Sequence, residues 1–205
     1  MDPFEYFDEI RCVNLDADAE RWRLMQARFT TLRLGDRARR FAAVATPANR
    51  RIGQALSHRR VVEEAAERGR RSVLIIEDDV RFFDQTIAIL SAAVPELSGL
   101  DWTTCHLGGC RWDGTLQAAP DCRYWFRVLG LIATPAVAYS ERAFAPMLQG
   151  LAADVSGMGD WIRAHHTINQ HLQTMEQSVA LRPPVAVSPK HLPYEDPATR
   201  HLFAA

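Results

Sequence analysis

The stretch SVLIIEDDVRFF, Ser72 to Phe83, constrains the fold of this chain more than any other. Val73, Leu74, Ile75 and Ile76 form a short continuous apolar run of the kind that fits a strand buried on both faces. Three acids, Glu77, Asp78 and Asp79, end it abruptly before apolar residues resume at Val80. Adjacent carboxylates repel, so a fold keeps them where water or a cation offsets the charge. At the C-terminal edge of a parallel strand they project into the crevice where open α/β sheets bind ligands. Oxygen donors there suit a hard divalent ion, Mg²⁺ or Mn²⁺, itself bridging to a substrate phosphate. Taken alone, an acidic triplet is better read as a solvated turn after a strand; the residues before it change that balance.

Upstream, Ile10–Leu15 reads as an apolar strand closing on Asn14 and Asp16. From Ala17 to Leu34 the residues Trp22, Met25, Phe29 and Leu32 recur at helical spacing, with Asp16 or Asp18 as cap and Gly35 as stop. Arg40–Val44 reads as a second strand, Pro47–Gly53 as a basic loop, and Gln54–Arg68 as a second helix stopped by Gly69. After the acidic strand, Asp84 is expected to cap a third helix that Pro95 ends. Trp102–Leu107 and Leu129–Tyr139 read as strands, Glu141–Leu151 as a helix and Gly157-Met158-Gly159 as a joint. Asp160 is then expected to cap a helix running to about Glu176. Ser178–Val187 is interrupted by Pro183-Pro184, which places that strand at an edge. This alternation predicts an α/β fold, a mostly parallel sheet with helices on both faces.

With 205 residues the chain is expected to form one domain, long enough to bury a core without staples. Residues from about 1 to 110 read as the ligand-binding half, and those from about 111 to 205 as the second half and tail. A net charge of −1 gives no global pull toward nucleic acid. Lys190 is the only lysine, which excludes a phosphate-loop lysine. Cys105, His106, Cys110 and Cys122 lack the C-x₂-C pair of a zinc site, so the thiols read as free and buried. The opening MDPFEYFDEI has no apolar centre and no stretch reaches transmembrane length. The expected setting is the cytoplasm, at most against the inner face of a membrane.

Several segments resemble glycosyltransferase family 25, which includes lipooligosaccharide and collagen galactosyltransferases. They stand in family order: Val13-Asn14-Leu15 with Arg21-Trp22, Phe41-Ala42-Ala43-Val44, then Gly53-Gln54-Ala55-Leu56-Ser57-His58-Arg59. Val73–Val80 with its acidic triplet follows, then Leu107-Gly108-Gly109 and Ala138-Tyr139-Ser140. The pairing of G-x-A-L-S-H-R with a following E-D-D strand carries the specificity. The C-terminal third carries no such motif.

The resemblance implies a GT-A-like fold and transfer of a hexose from a nucleotide-sugar, usually UDP-galactose, with Mn²⁺ (or Mg²⁺) bridging the diphosphate. A glycan or lipopolysaccharide-type acceptor follows from it. Asp79 is then the metal ligand, and Glu77 or Asp78 reaches the ribose or a metal-bound water. Asn14 and Arg21 are candidates for base, ribose or phosphate, against the plainer readings of a strand-end turn and a solvated helix charge. Ser57 and His58, expected in the first turns of a helix, lie where N–H groups favour anions. Gly108 and Gly109 let backbone approach the donor sugar or simply make a turn. Asp160 is the candidate base for an inverting transfer or an ordinary N-cap, and His191 the candidate further metal ligand, with His165, His166 and His171 as alternatives. The rival from another class is a non-catalytic module that binds a nucleotide-sugar or a partner protein. The aromatics Trp112, Tyr124, Trp125 and Phe126 suit either sugar stacking or core.

Overall fold

The computed structural model describes residues 2–108, 111–112, 117–128, 131–132, 135–173 and 175–188. Its strands are β1 (Glu9–Asn14), β2 (Ala38–Ala42), β3 (Ser72–Glu77), β4 (Arg81–Phe82), β5 (Thr104–His106) and β6 (Arg111–Trp112). Then come β7 (Gln117–Ala118), β8 (Trp125–Arg127), β9 (Leu131–Ile132), β10 (Ala136–Ser140), β11 (Val179–Leu181) and β12 (Ala186–Val187). The helices are α1 (Ala19–Thr31), α2 (Arg50–Glu67), α3 (Thr86–Leu97), α4 (Glu141–Gly150), α5 (Val155–His165) and α6 (Ile168–Gln173).

Eight strands form one sheet in the order β2-β1-β3-β10-β5-β11-β8-β7. β1 pairs in parallel with both β2 and β3, and β11 in parallel with β5. β10 runs against β3 and β5, and β8 against β11 and β7. Six strands thus share one direction, with β10 and β8 reversed. The apolar run of β3 sits at the centre, and Val73–Ile76 are all fully buried. Its alternate side chains divide between two clusters. Leu74 and Ile76 join Met25 and Phe29 of α1 and Leu90 and Leu97 of α3 on one face. Val73 and Ile75 join Leu56 and Val62 of α2, Met147 of α4 and Ile162 of α5 on the other. Burial at about 1.5–3 kcal/mol per large aliphatic side chain makes this doubly covered strand the stabilising centre. The sheet and its two helical layers make an α/β fold, a mostly parallel sheet with helices on both faces.

Some boundaries differ from expectation. α2 begins at Arg50, because the Asn49 side chain accepts from the Arg51 N–H at 3.1 Å and starts the helix there. Ser57 and His58 therefore lie in its third turn, away from the N–H groups of the terminus. α5 begins at Val155, capped by Asp154, whose side chain accepts from the Gly157 N–H. Gly157, Gly159 and Asp160 lie inside that helix, so Asp160 is not its cap. α3 starts at Thr86 without Asp84 as its cap and contains Pro95. Pro183 and Pro184 fall between β11 and β12, so β11 is an interior strand. Of the described cysteines, Cys12 and Cys105 are buried free thiols as expected, whereas Cys122 is free but only half-buried. Cys105 packs into the α1/α3 cluster while the next strand residue, His106, faces the other way, so the two cannot share a metal. Cys110 lies outside the described residues.

Candidate functional site

The parallel strands β1 and β3 end side by side, Val13 opposite Glu77, and deliver Asn14 and the acidic triplet to one edge of the sheet. Each acid then takes its own set of partners. Glu77 turns toward α2, where its Oε1 accepts from Gln54 Nε2 at 2.9 Å and lies 3.0 Å from His58 Nε2. Gln54 and His58 are one helical turn apart, which puts both on the face that meets the strand end. His58 is fully buried, and its Nδ1 lies 2.8 Å from the hydroxyl of Tyr139 on β10. Burial, with the Glu77 charge adding to it, pushes the Tyr139 phenol well above its ordinary pKa.

Asp78 turns the other way. Its Oδ2 accepts from Asn14 Nδ2 at 2.8 Å and its Oδ1 from Arg21 of α1 at 3.0 Å. Partial burial works against the Arg21 charge, but Asp78 outweighs it and holds the guanidinium above its usual pKa. Asn14 is 1% exposed and wholly engaged: Nδ2 also donates to the Asp18 carbonyl, and Oδ1 accepts from Arg40 Nε at 2.8 Å. Its amide therefore fixes Asp78, whereas the Arg21 side chain is 40% exposed.

Asp79 accepts from Ser188 Oγ at 3.3 Å. The antiparallel pair β4–β12, Phe82 opposite Ala186, brings residue 188 beside the triplet. Beneath it Arg28 Nη1 donates to the Val80 carbonyl at 2.6 Å; burial first, then Arg81, lowers the Arg28 pKa. Gly108 has a structural reason: a Cβ there would sit 1.7 Å from the Ala186 carbonyl oxygen, so the close approach is by β12.

Ser57 is fully buried, donating to the Gly53 carbonyl at 2.6 Å and accepting from the Val44 N–H at 2.9 Å. It clasps the end of β2 to α2. Asp160 is exposed and pairs with Arg163 one turn on, with no described contact to the triplet. His165 stacks on Trp161 at 4.4 Å, and His171 meets the same ring edge-on. Of the aromatics, Trp125 is core, donating to the Ala93 carbonyl, and Tyr124 packs against it. Gly109, His191 and the Trp112 side chain lie outside the described residues.

Sequence reasoning left Gln54, Tyr139 and Arg40 without roles. The four-residue spacing of Gln54 and His58 signalled the first. Tyr139 stands 81 residues from His58, and no local pattern joins them.

Among the described residues no three His, Cys, Asp or Glu side chains converge as a metal cage. The oxygen set at Asp79 and Ser188 fits a different arrangement, a hard divalent ion taking one or two protein oxygens and filling its remaining positions from phosphate and water. Fold and site together define an α/β protein with three carboxylates at the C-terminal edge of its parallel strands.

No protein-family model matches the chain, and no curated protein is similar in sequence. Among solved structures, mannose-1-phosphate geranyltransferase from Thermus thermophilus is similar at a TM-score of 0.46 and 13% identity. That match covers 83% of this chain and 58% of the other. A glycosyltransferase involved in glycosylation of the major capsid of PBCV-1 is similar at 0.45 and 10% identity, over 84% of this chain and 80% of that one. This chain thus spans 58% of the length of the first.

Proposed function

We propose that the protein is a glycosyltransferase of the family 25 kind, moving a hexose, galactose from UDP-galactose, onto a hydroxyl of a glycan or lipooligosaccharide-type acceptor with inversion. One observation carries the reading: three consecutive acids at the end of β3, on the C-terminal edge of the parallel strands, are each held by a separate set of partners, so they stand side by side without collapsing on each other. A solvated turn has no need of buried Asn14 and His58 behind it.

Nucleotide-sugar transfer needs charge control at the leaving diphosphate. Arg21 is the described cation positioned to meet a phosphate or the base from the α1 side. Asp79, with His191 three residues beyond Ser188, would hold Mn²⁺ or Mg²⁺. When bound, the ion supplies neutralisation of the developing diphosphate charge. Glu77 accepts a ribose hydroxyl, and Asn14 and Gln54 hold the acids in place. Gly108 and Gly109 bound the donor-sugar side. The proton of the acceptor hydroxyl is assigned to Asp160.

Calorimetric titration of UDP and UDP-galactose, each with and without Mn²⁺, tests the donor half. The expected result is Mn²⁺-dependent binding that Asp79→Ala removes. Wild-type protein that binds neither nucleotide under any metal condition overturns the transferase reading in favour of a partner-binding module. For the base, Asp160→Asn should lower kcat about 100-fold or more while leaving donor KM in place, the range expected of general-base catalysis. An unchanged kcat removes Asp160 from the chemistry.

A further inference from the structure

Behind the crevice, Glu77, His58 and Tyr139 form a continuous hydrogen-bonded line from the sheet edge into the core. Its direction follows from counting protons. A carboxylate only accepts, so Nε2, 3.0 Å from Glu77 Oε1, carries the ring proton. With the imidazole in its single-proton form, that proton on Nε2 makes Nδ1 an acceptor, and the Tyr139 hydroxyl 2.8 Å away supplies the donor. The phenol is fully buried and its pKa is raised, so its proton stays on. Tyr139 therefore donates to His58, and His58 donates to Glu77.

The consequence falls on Glu77. Its Oε1 receives two N–H donors, from His58 and from Gln54, on the inner side of the carboxylate. Both come from α2, so the group cannot swing without breaking two bonds. Its side chain keeps 21% exposure, and both bonds fall on Oε1, not on the second oxygen. We infer that Tyr139 is a positioning residue that acts through His58 on Glu77, aiming Glu77 Oε2 to accept a hydroxyl of the ribose in the donor nucleotide. The ribose clause rests on the donor reading above; the line of bonds does not.

The imidazole ¹⁵N spectrum of the ligand-free protein reads the line directly. Wild type should show His58 protonated at Nε2 with a slowly exchanging Hε2, and Tyr139→Phe should lose that slow exchange. A wild-type ring protonated at Nδ1, or a Tyr139→Phe spectrum identical to wild type, overturns the proposal whatever the nucleotide results. Kinetics follow for the ribose clause. Tyr139→Phe should raise donor KM roughly tenfold, below the hundredfold that an ångström of misplacement can cost, with kcat little changed. His58→Gln, which can still present an N–H to Glu77, should restore donor KM toward wild type, whereas His58→Leu should not. Thermal melting of each variant separates misfolding from misplacement. A confirmed ¹⁵N signature in a protein that binds no nucleotide sinks the donor reading and the ribose clause while the line itself stands. Intact nucleotide binding with unmoved KM in Tyr139→Phe sinks the positioning role alone.

Discussion

Asn14 shows how much of this site is built from side chains spent on their neighbours. A single buried amide ties β1 to the Asp18 carbonyl, to Arg40 and to Asp78. Replacing it with alanine takes one donor from the Asp18 carbonyl, which keeps the Trp22 N–H, and leaves Asp78 without its buried amide partner, held by Arg21 alone on that side. A buried polar group deprived of its partner costs about 1–3 kcal/mol, so Asn14→Ala should lose stability in that range by urea unfolding. It should also weaken donor binding, because Asp78 and Arg21 then share a looser position. A variant of wild-type stability would mean that water replaces the amide completely. The place of Asn14 at the strand edge beside the acids was legible from the end of the apolar run. Its actual work was not, because the Asp78 partner lies 64 residues away. The same holds for Ser57, whose hydroxyl is spent on Gly53 and Val44.

At the scale of elements, the site depends on a short strand that sequence reading merged into its neighbour. β12 reaches Asp79 because the Val185 and Ala186 N–H groups both bond the Leu107 carbonyl, at 2.9 and 3.3 Å. That approach is possible only with glycine at 108. Gly108→Ala would place a methyl 1.7 Å from the Ala186 carbonyl oxygen, backbone that cannot rotate aside. The expected result is a lowered melting temperature together with loss of the Ser188–Asp79 contact, and so weakened metal-dependent donor binding. An alanine variant with wild-type melting and wild-type binding would show that β12 is not needed at the site. What could be read in advance was the apolar run of β3, because burial on both faces leaves an uninterrupted signature. Proline and glycine misled where context overrode their usual meaning. Pro183 and Pro184 sit in the link between β11 and β12, and Gly157 and Gly159 sit inside α5. At Gly157 an added Cβ would come within 3.1 Å of the Ala152 side chain, so packing rather than flexibility explains that glycine. Asp154, six residues ahead of Asp160, took the cap.

Across the whole molecule, folding couples to pH through a residue that the site does not use. His106 on β5 is 3% exposed, and its Nε2 lies 3.2 Å from Thr104 Oγ1, which donates to Ser178. The Ser178 hydroxyl is itself spent on the Met175 carbonyl, so Thr104 must accept from His106, and the ring is neutral with Nε2 protonated. Its Nδ1 has no hydrogen-bond partner among the described residues. Burial lowers its pKa from 6.5 to about 3. The unfolded chain therefore binds a proton below pH 6.5 that the folded protein refuses until pH approaches 3. Between those values the unfolded state holds more protons, so stability rises with pH and falls on acidification, by about 1.4 kcal/mol per pH unit from this group. His171, whose pKa is also lowered by burial and by His165, adds in the same direction. Above pH 6.5 neither contributes a slope. His106→Gln keeps an N–H for Thr104 but has nothing to titrate. Urea unfolding from pH 7.5 down to pH 4 should therefore give a shallower acid limb in the variant than in wild type, the two curves running parallel above pH 6.5. Parallel curves throughout would mean that the folded protein admits the proton at His106, and hence that this layer of the sheet opens on acidification rather than resisting it.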